Sequence, residues 1–214
     1  MRPDIAFAVI KLSQFTSNPT EKHLGKALYI CRYLLGTPDY ALVYDRPGNG
    51  SLLAYADSDW ASDPNTRKST SSYVVKLAGA IFSWNTCMQK TIMLSSTEAE
   101  YMFLSDTICQ LIWVRNLFSK LGIELASIPL FGDNHGSIFI TSNPVQEKCS
   151  KHIDLHYHYI RDVVQDGKVE LFFVEGTQNP VDMFTKNLGH IKFLKFWEQL
   201  GLEFYLPKWL TWIT

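Results

Sequence analysis

Leu52-Leu53-Ala54-Tyr55-Ala56-Asp57-Ser58-Asp59-Trp60 is the stretch on which the fold of this chain turns. Apolar residues around a central aromatic spell a buried strand, and the run then meets two carboxylates and a tryptophan. Asp is depleted in strands and is expensive to bury without a cation or hydrogen-bond donors. Asp57 is therefore either a turn residue just beyond a short strand or a ligand facing a metal. Asp59 would share its face of the strand, so alternation alone does not separate the two acids. What decides is whether other carboxylates arrive from distant segments on equally apolar elements.

Downstream, a polar loop from Asp63 to Thr70 leads into strand-like runs at 72–77 and 80–84 around Ala78-Gly79, and a third run, Thr91-Ile92-Met93-Leu94, is expected to close this part of a sheet. Such tight spacing implies antiparallel pairing. Ser95-Ser96-Thr97-Glu98-Ala99-Glu100 holds two overlapping capping boxes, Ser95 with Glu98 and Thr97 with Glu100, and opens a helix that runs to about Leu121. A short strand at 128–132 ends at Asp133, and a short helix follows until Asn143-Pro144 breaks it. A helix over 152–165, a strand over 169–174 and a last short helix over 180–188, carrying Asp182, complete the series.

Upstream, Ile5, Ala8, Val9, Leu12 and Phe15 recur at helical spacing, and a second helix is expected over 19–35, with Asn18 as cap and Leu24, Leu28, Cys31 and Leu35 on one face. Two short helices do not make a core, so they pack on the downstream elements or on a domain outside this chain. Tyr40 to Tyr44 is a short strand, and Pro47-Gly48-Asn49-Gly50 marks a boundary. The division is a helical segment at 1–49, a main domain at 50–190 and a tail at 191–214. The alternation of strands and helices gives an α/β or α+β domain, a mixed sheet with helices packed on it.

Composition narrows the function. With 214 residues, 46% of them hydrophobic, the chain can bury a full core. Its net charge of −1 does not announce a nucleic-acid binder, so any polyanion contact must come from a local patch. Cys31, Cys87, Cys109 and Cys149 form no C-x-x-C pair, which argues against a zinc site and a disulfide scaffold and for a reducing compartment. No apolar run reaches the roughly 18 residues of a membrane span, and the start lacks the pattern of a secretion signal.

From Glu100 the positions 104, 108 and 111 are Leu, Ile and Leu, whereas Glu98 is followed on its face by Ser105 and Asp106. Glu100 therefore points inward and Glu98 serves the cap. Asp133 is either a helix cap or a ligand, and Asp182 is either a first-turn acid that offsets the helix dipole or a ligand. Together, Asp57, Glu100, Asp133 and Asp182 stand at element ends or faces that a layered sheet could bring to one edge. Four crowded carboxylates take up protons unless divalent cations neutralise them. Hard oxygen donors without a thiolate suit Mg²⁺ or Mn²⁺, and two such ions about 3.5–4 Å apart can clamp the attacking water and leaving oxygen of a phosphodiester.

The motifs Tyr55-Ala56-Asp57-Ser58-Asp59-Trp60-Ala61, Arg67-Lys68-Ser69-Thr70-Ser71, Leu94 to Tyr101, Gly132-Asp133-Asn134, Lys151-His152-Ile153-Asp154 with Tyr157-His158, and Asp182 followed by Thr185-Lys186 closely resemble the ribonuclease H domain of copia-type retrotransposon polyproteins. The likeness runs in order across about residues 50–190. The segment from Arg2 to Thr37 resembles the end of the reverse transcriptase and connection region of the same polyprotein. The resemblance implies a ribonuclease H-like fold with a mixed five-stranded sheet, and hydrolysis of the RNA strand of an RNA·DNA hybrid with two Mg²⁺ or Mn²⁺ ions. It makes Asp57, Glu100, Asp133 and Asp182 the metal-binding acids. Asp57 would bridge both ions, at a strand end, and Asp59 would be a turn acid.

The paired-aspartate motif of a polymerase is absent, so DNA synthesis by this chain is not expected, although a reverse transcriptase polymerase domain is an expected partner. Ser72 replaces a common glycine, Cys87-Met88 a usually basic pair, and Asn187 a proline or alanine. These departures keep open a second reading, a catalytically inactive nucleic-acid-binding remnant. Arg67, Lys68, Lys90, Lys151, His152 and Lys186 flank the acids and either receive the hybrid backbone or form solvated surface. His152 and His156 are four apart on one helix, with His158 beyond them, but lack the glutamate of an H-E-x-x-H zinc motif. The expected setting is the cytoplasm, virus-like particles or the nucleus.

Overall fold

The computed structural model describes residues 1–44, 52–63, 66–142 and 151–204. A 3-10 turn, Pro3–Ile5, leads into α1 (Ala6–Ser13) and α2 (Glu21–Gly36), and then come β1 (Tyr40–Leu42), β2 (Leu52–Asp59), β3 (Thr70–Leu77) and β4 (Ala80–Met88). Next are α3 (Ser96–Lys120), β5 (Ile128–Gly132), α4 (His135–Ser142), α5 (Lys151–Gln165) and β6 (Val169–Phe173). The described part closes with α6 (Asp182–Thr185), α7 (His190–Gln199) and β7 (Leu202–Phe204). No helix among the described residues is long and apolar enough to cross a membrane. The expected breaks at Pro47-Gly48-Asn49-Gly50 and Asn143-Pro144, and the tail aromatics Tyr205, Trp209 and Trp212, lie outside the described residues.

Five strands form one mixed sheet in the order β4-β3-β2-β5-β6. The first three pair antiparallel, while β2 with β5 and β5 with β6 are parallel. This is the ribonuclease H-like architecture that the resemblance implies. The β3–β4 hairpin turns at Ala78 (φ 49°) and Gly79 (φ 86°), the pair of positive φ angles whose twist matches that of the flanking strands. Two differences from the expected strands have physical causes. β2 continues through Asp59, so Asp57 lies inside the strand and Asp59 is its last residue rather than a turn acid, because β3 pairs with it as far as Asp59↔Thr70. Thr91–Leu94 is no strand: after Gln89 donates its N–H to Ser69, the chain leaves the sheet to start α3, with Ile92 and Leu94 exposed.

Each face of the sheet carries a core. On one, α3 and α5 bury Leu104, Ile108, Leu111 and Ile160 against Ala54, Val75 and Leu130. On the other, α6, α7 and β7 bury Val181, Met183, Phe184, Phe196, Leu200 and Leu202 against Val74 and Ile81. The start of the chain joins this second layer. Ala6 packs on it, and β1 pairs antiparallel with β7 from Tyr40↔Phe204 to Leu42↔Leu202. Arg2 fixes the first turn to the end of α2 through Asp4 (2.8 Å) and the Thr37 carbonyl (2.7 Å), and Tyr33 donates to the same Asp4 (2.6 Å). α2 is capped by Thr20, in a reciprocal box with His23, rather than by Asn18, since Pro19 precedes the helix. Its apolar stripe, Leu24, Leu28 and Leu35, stays exposed among the described residues.

Candidate active site

Parallel pairing sets the site. β2 and β5 run side by side in the same direction, so their C-terminal ends meet at one edge, with Asp57 near the end of one and Asp133 just past the other. The connection from β6 to α6 returns to that edge, and buried Asn179 staples it there: its side-chain amide donates to the Ala56 carbonyl (3.0 Å) and its oxygen accepts the Val181 N–H (3.2 Å). α6 then presents Asp182 as its first residue. Single ligand oxygens of Asp57, Asp133 and Asp182 lie within 4.8 Å of one another. Asp57 and Asp182 are buried and Asp133 is half-buried.

Glu100 stands beside this trio rather than within it. It is 5% exposed in the second turn of α3, and one of its oxygens accepts the Ser58 N–H (2.9 Å), next to Asp57 in the chain. Gln89 holds that turn to the sheet by donating to the Ala99 carbonyl (2.9 Å) and the Ser71 hydroxyl (2.8 Å). Glu98, by contrast, accepts the Leu94 N–H (2.7 Å), while Ser95 accepts the Glu98 N–H (3.1 Å), so this acid serves the helix start. Asp133 is not the cap of α4: the neighbouring Asn134 accepts the Ser137 N–H (2.9 Å), which leaves the Asp133 carboxylate to the cluster.

Two cations and a hydroxyl complete the arrangement. Lys186 lies 2.6 Å from Asp182 and 3.4 Å from Asp57, and Lys192 takes the other Asp182 oxygen at 2.5 Å. Thr185 donates its hydroxyl to Asp57. Of the basic residues read from the sequence, Lys186 is thus at the acids, whereas Arg67 and Lys90 are exposed and Lys68 half-buried on loops. Lys151 and His152 begin α5, and their side chains lie outside the described part of the structure. His156 accepts from or donates to Ser105 across α3 and α5 at 2.7 Å, a packing contact between helices. Ser72, at the position opposite Asp57, is fully buried and its hydroxyl donates to the Asn85 carbonyl (2.6 Å).

Burial pushes the Asp57 carboxyl up to about 6, against the pull of Lys186. Burial, then Asp57 and Asp133, hold Glu100 well above the usual carboxylate range, and burial also raises Asp133. These raised values set the sign for stability. Between the ordinary carboxylate range and the raised values the folded state binds more protons than the unfolded one, so stability falls as pH rises. Denaturant titrations in chelator are expected to show the protein less stable at pH 8 than at pH 5, with the loss concentrated around pH 6. A saturating divalent cation should flatten the trend.

Gly176 carries no chemistry that a sequence displays, yet it shapes the site. A Cβ there would lie 2.9 Å from the Asp133 Oδ2 atom. Gly176→Ala is expected to keep the fold and to weaken Mn²⁺ binding about tenfold or more by displacing that carboxylate, as changes to groups that orient a ligand commonly do. Calorimetric titration of the metal checks it.

No protein-family model matches the chain. It is 38% identical over 202 residues to the Retrovirus-related Pol polyprotein from transposon RE2 of Arabidopsis thaliana, covering 94% of this chain and 14% of that protein. It is 35% identical over 203 residues to the Pol polyprotein from transposon TNT 1-94 of Nicotiana tabacum, covering 94% of this chain and 15% of the relative. The solved structure of LC11-RNase H1, isolated from compost, aligns with a TM-score of 0.46 and 12% identity, over 61% of this chain and 88% of the other. The chain therefore spans about a seventh of the curated relatives it matches, and across that span it belongs to the family of retrovirus-related Pol polyproteins of copia-type transposons.

Proposed function

We propose that this chain is an endoribonuclease that hydrolyses the RNA strand of RNA·DNA hybrids with two Mg²⁺ or Mn²⁺ ions, as one domain of a Pol polyprotein. The observation that carries the proposal is the meeting of Asp57, Asp133 and Asp182 within 4.8 Å at one buried sheet edge, with Glu100 beside them. The donors fit such ions: hard carboxylate oxygens, closely spaced, on three separate elements. Bound there, the ions would activate the attacking water and stabilise the leaving oxygen.

The chain's own residues then divide the work. Asp57, whose carboxylate accepts the Thr185 hydroxyl, would be a ligand shared by the ions. Glu100 and Asp133 would help to hold one ion and orient the water, and Asp182, on the segment that Asn179 ties to Ala56, would hold the other. Arg67, Lys68, Lys90, Lys151 and His152 are assigned to the hybrid backbone, an electrostatic contact that carries no base specificity. The polymerase domain is the proposed neighbour in the polyprotein, and the cytoplasm, virus-like particles or nucleus the proposed setting. The presence of all four acids in one place favours this reading over an inactive remnant.

Cleavage of a labelled RNA·DNA hybrid with Mg²⁺ or Mn²⁺ tests it, run beside Asp133→Asn and beside single-stranded RNA and duplex DNA. Cleavage of the hybrid alone, lost in the variant, is the expected result. A folded protein that cleaves none of the substrates is the remnant.

A further inference from the structure

We propose that Lys186 is a built-in competitor of the divalent cation: its ammonium holds the Asp57–Asp182 pair in the metal-free protein and must withdraw before a cation binds there. The inference rests on the cation site proposed above and asks what occupies it beforehand. Three observations carry it. The Lys186 ammonium lies 2.6 Å from one Asp182 oxygen and 3.4 Å from Asp57, which sets it between two of the three clustered carboxylates. The second Asp182 oxygen is taken by Lys192 at 2.5 Å, so both oxygens of this ligand carry an ammonium. A divalent ion reaching Asp182 therefore meets a like charge at contact distance, and the two cannot share the position.

The third observation is that Lys186 is built to leave. It follows the last residue of α6 with extended backbone (φ −128°, ψ 153°), and its side chain folds back over one turn to reach Asp182. That side chain is 36% exposed, against 2% and 3% for those of Asp57 and Asp182. The acids are fixed in the wall of the site, while the flexible lysine stem has solvent beside it and can swing its charge out. Lys192 also gives up or shares its oxygen when a cation arrives, but it does not touch Asp57 among the described contacts, so Lys186 is the residue that sets the competition.

The test is calorimetric titration of Mn²⁺ at pH 8 into the wild-type chain, Lys186→Met, Lys186→Arg and, as a control away from the site, Lys168→Met, whose exposed ammonium pairs with Asp166. Lys186→Met is expected to bind Mn²⁺ at least about tenfold tighter than wild type, because a positive charge at contact distance from the ion has gone. Lys186→Arg, which keeps the charge, should bind no tighter than wild type, and Lys168→Met should match it. Equal or weaker binding by Lys186→Met, with Mn²⁺ bound by wild type, overturns this inference alone. Absence of Mn²⁺ binding in all four proteins overturns the cation site and this inference with it. Because the Met variant could fail to fold in chelator, the wild-type chain supplies a second readout. The ¹⁵N-ammonium resonance of Lys186 should be protected from exchange without metal and lose that protection when Mg²⁺ saturates the protein. A protected signal that persists at saturation overturns the proposal.

Discussion

Asp57→Asn is expected to leave the chain folded and to slow hybrid cleavage by about a hundred- to a thousandfold, the scale on which preorganised charge at a reacting centre acts. The substitution is isosteric, so the neighbours keep their places. What changes is that one of the two oxygens facing Thr185 and Lys186 becomes an amide, which offers two donors to a site that needs acceptors. Stability should move the other way. Burial already raises the Asp57 carboxyl to about 6, so at pH 8 in chelator its ionised form is a burden on the fold, and a neutral amide removes it. A thermal melt and a single-turnover cleavage assay on the same preparation separate the two effects. An Asn variant that cleaves like wild type would remove Asp57 from the chemistry, whereas one that fails to fold would mean that the residue's main service is structural.

Ending the chain after Gly189 is expected to abolish the cooperative unfolding transition, although every proposed metal ligand is retained. Phe196, Leu200 and Leu202 are all 0% exposed and close the second core over Ile81 and Phe184. Burial of such side chains contributes about 1.5–3 kcal/mol apiece, so their combined loss is of the size of a domain's whole net stability of about 5–15 kcal/mol. Two backbone hydrogen bonds go with them, Ile81 N–H to Leu200 (3.2 Å) and Val43 N–H to Gly201 (2.9 Å). The site would fail too. α6 is only four residues long, and its buried Met183 and Phe184 share the second core with Phe196, Leu200 and Leu202. Circular dichroism melts of the shortened and full chains decide the matter. A shortened chain that melts cooperatively near the full chain's temperature would mean that residues 1–189 fold without α7 and β7.

Residue types and folded structure part company at this junction. Motifs carrying acids end at Asp182-Thr185-Lys186, so a partition led by chemistry stops near residue 190. The stripe Phe193, Phe196, Trp197 and Leu200 has helical spacing, but it carries no chemical signal and says nothing of which face of the sheet it covers. The central strand and α3 are legible because alternation, capping and inward-facing Leu104, Ile108 and Leu111 agree. Thr91–Leu94 misleads because an apolar run looks alike in a strand and in an exposed crossing. Within the site, acids are visible since each is out of place on an apolar element. Lys186 reads as a contact for the hybrid backbone or as solvated surface, Asn179 as part of a Pro-containing turn, and Gly176 as a loop glycine, because a residue that positions another is defined by a distance rather than by its own type. Asp57 lies mid-strand for a related reason: partner Ser72 extends the pairing, and no local signal foretells a partner 15 residues away.

The pairing of β1 with β7 also bears on the order in which the fold closes. Tyr40 meets Phe204 across nearly the whole described chain, and contacts so distant in sequence form late, after the closure of everything between them. During synthesis the sheet's first strands and α3 leave the ribosome long before α7 and β7 exist. The core that Met183 and Phe184 share with Phe196, Leu200 and Leu202 is complete only once residue 204 has emerged, so this second layer closes among the last events of folding. A nascent or prematurely released chain would carry the acids before the layer behind α6 has closed.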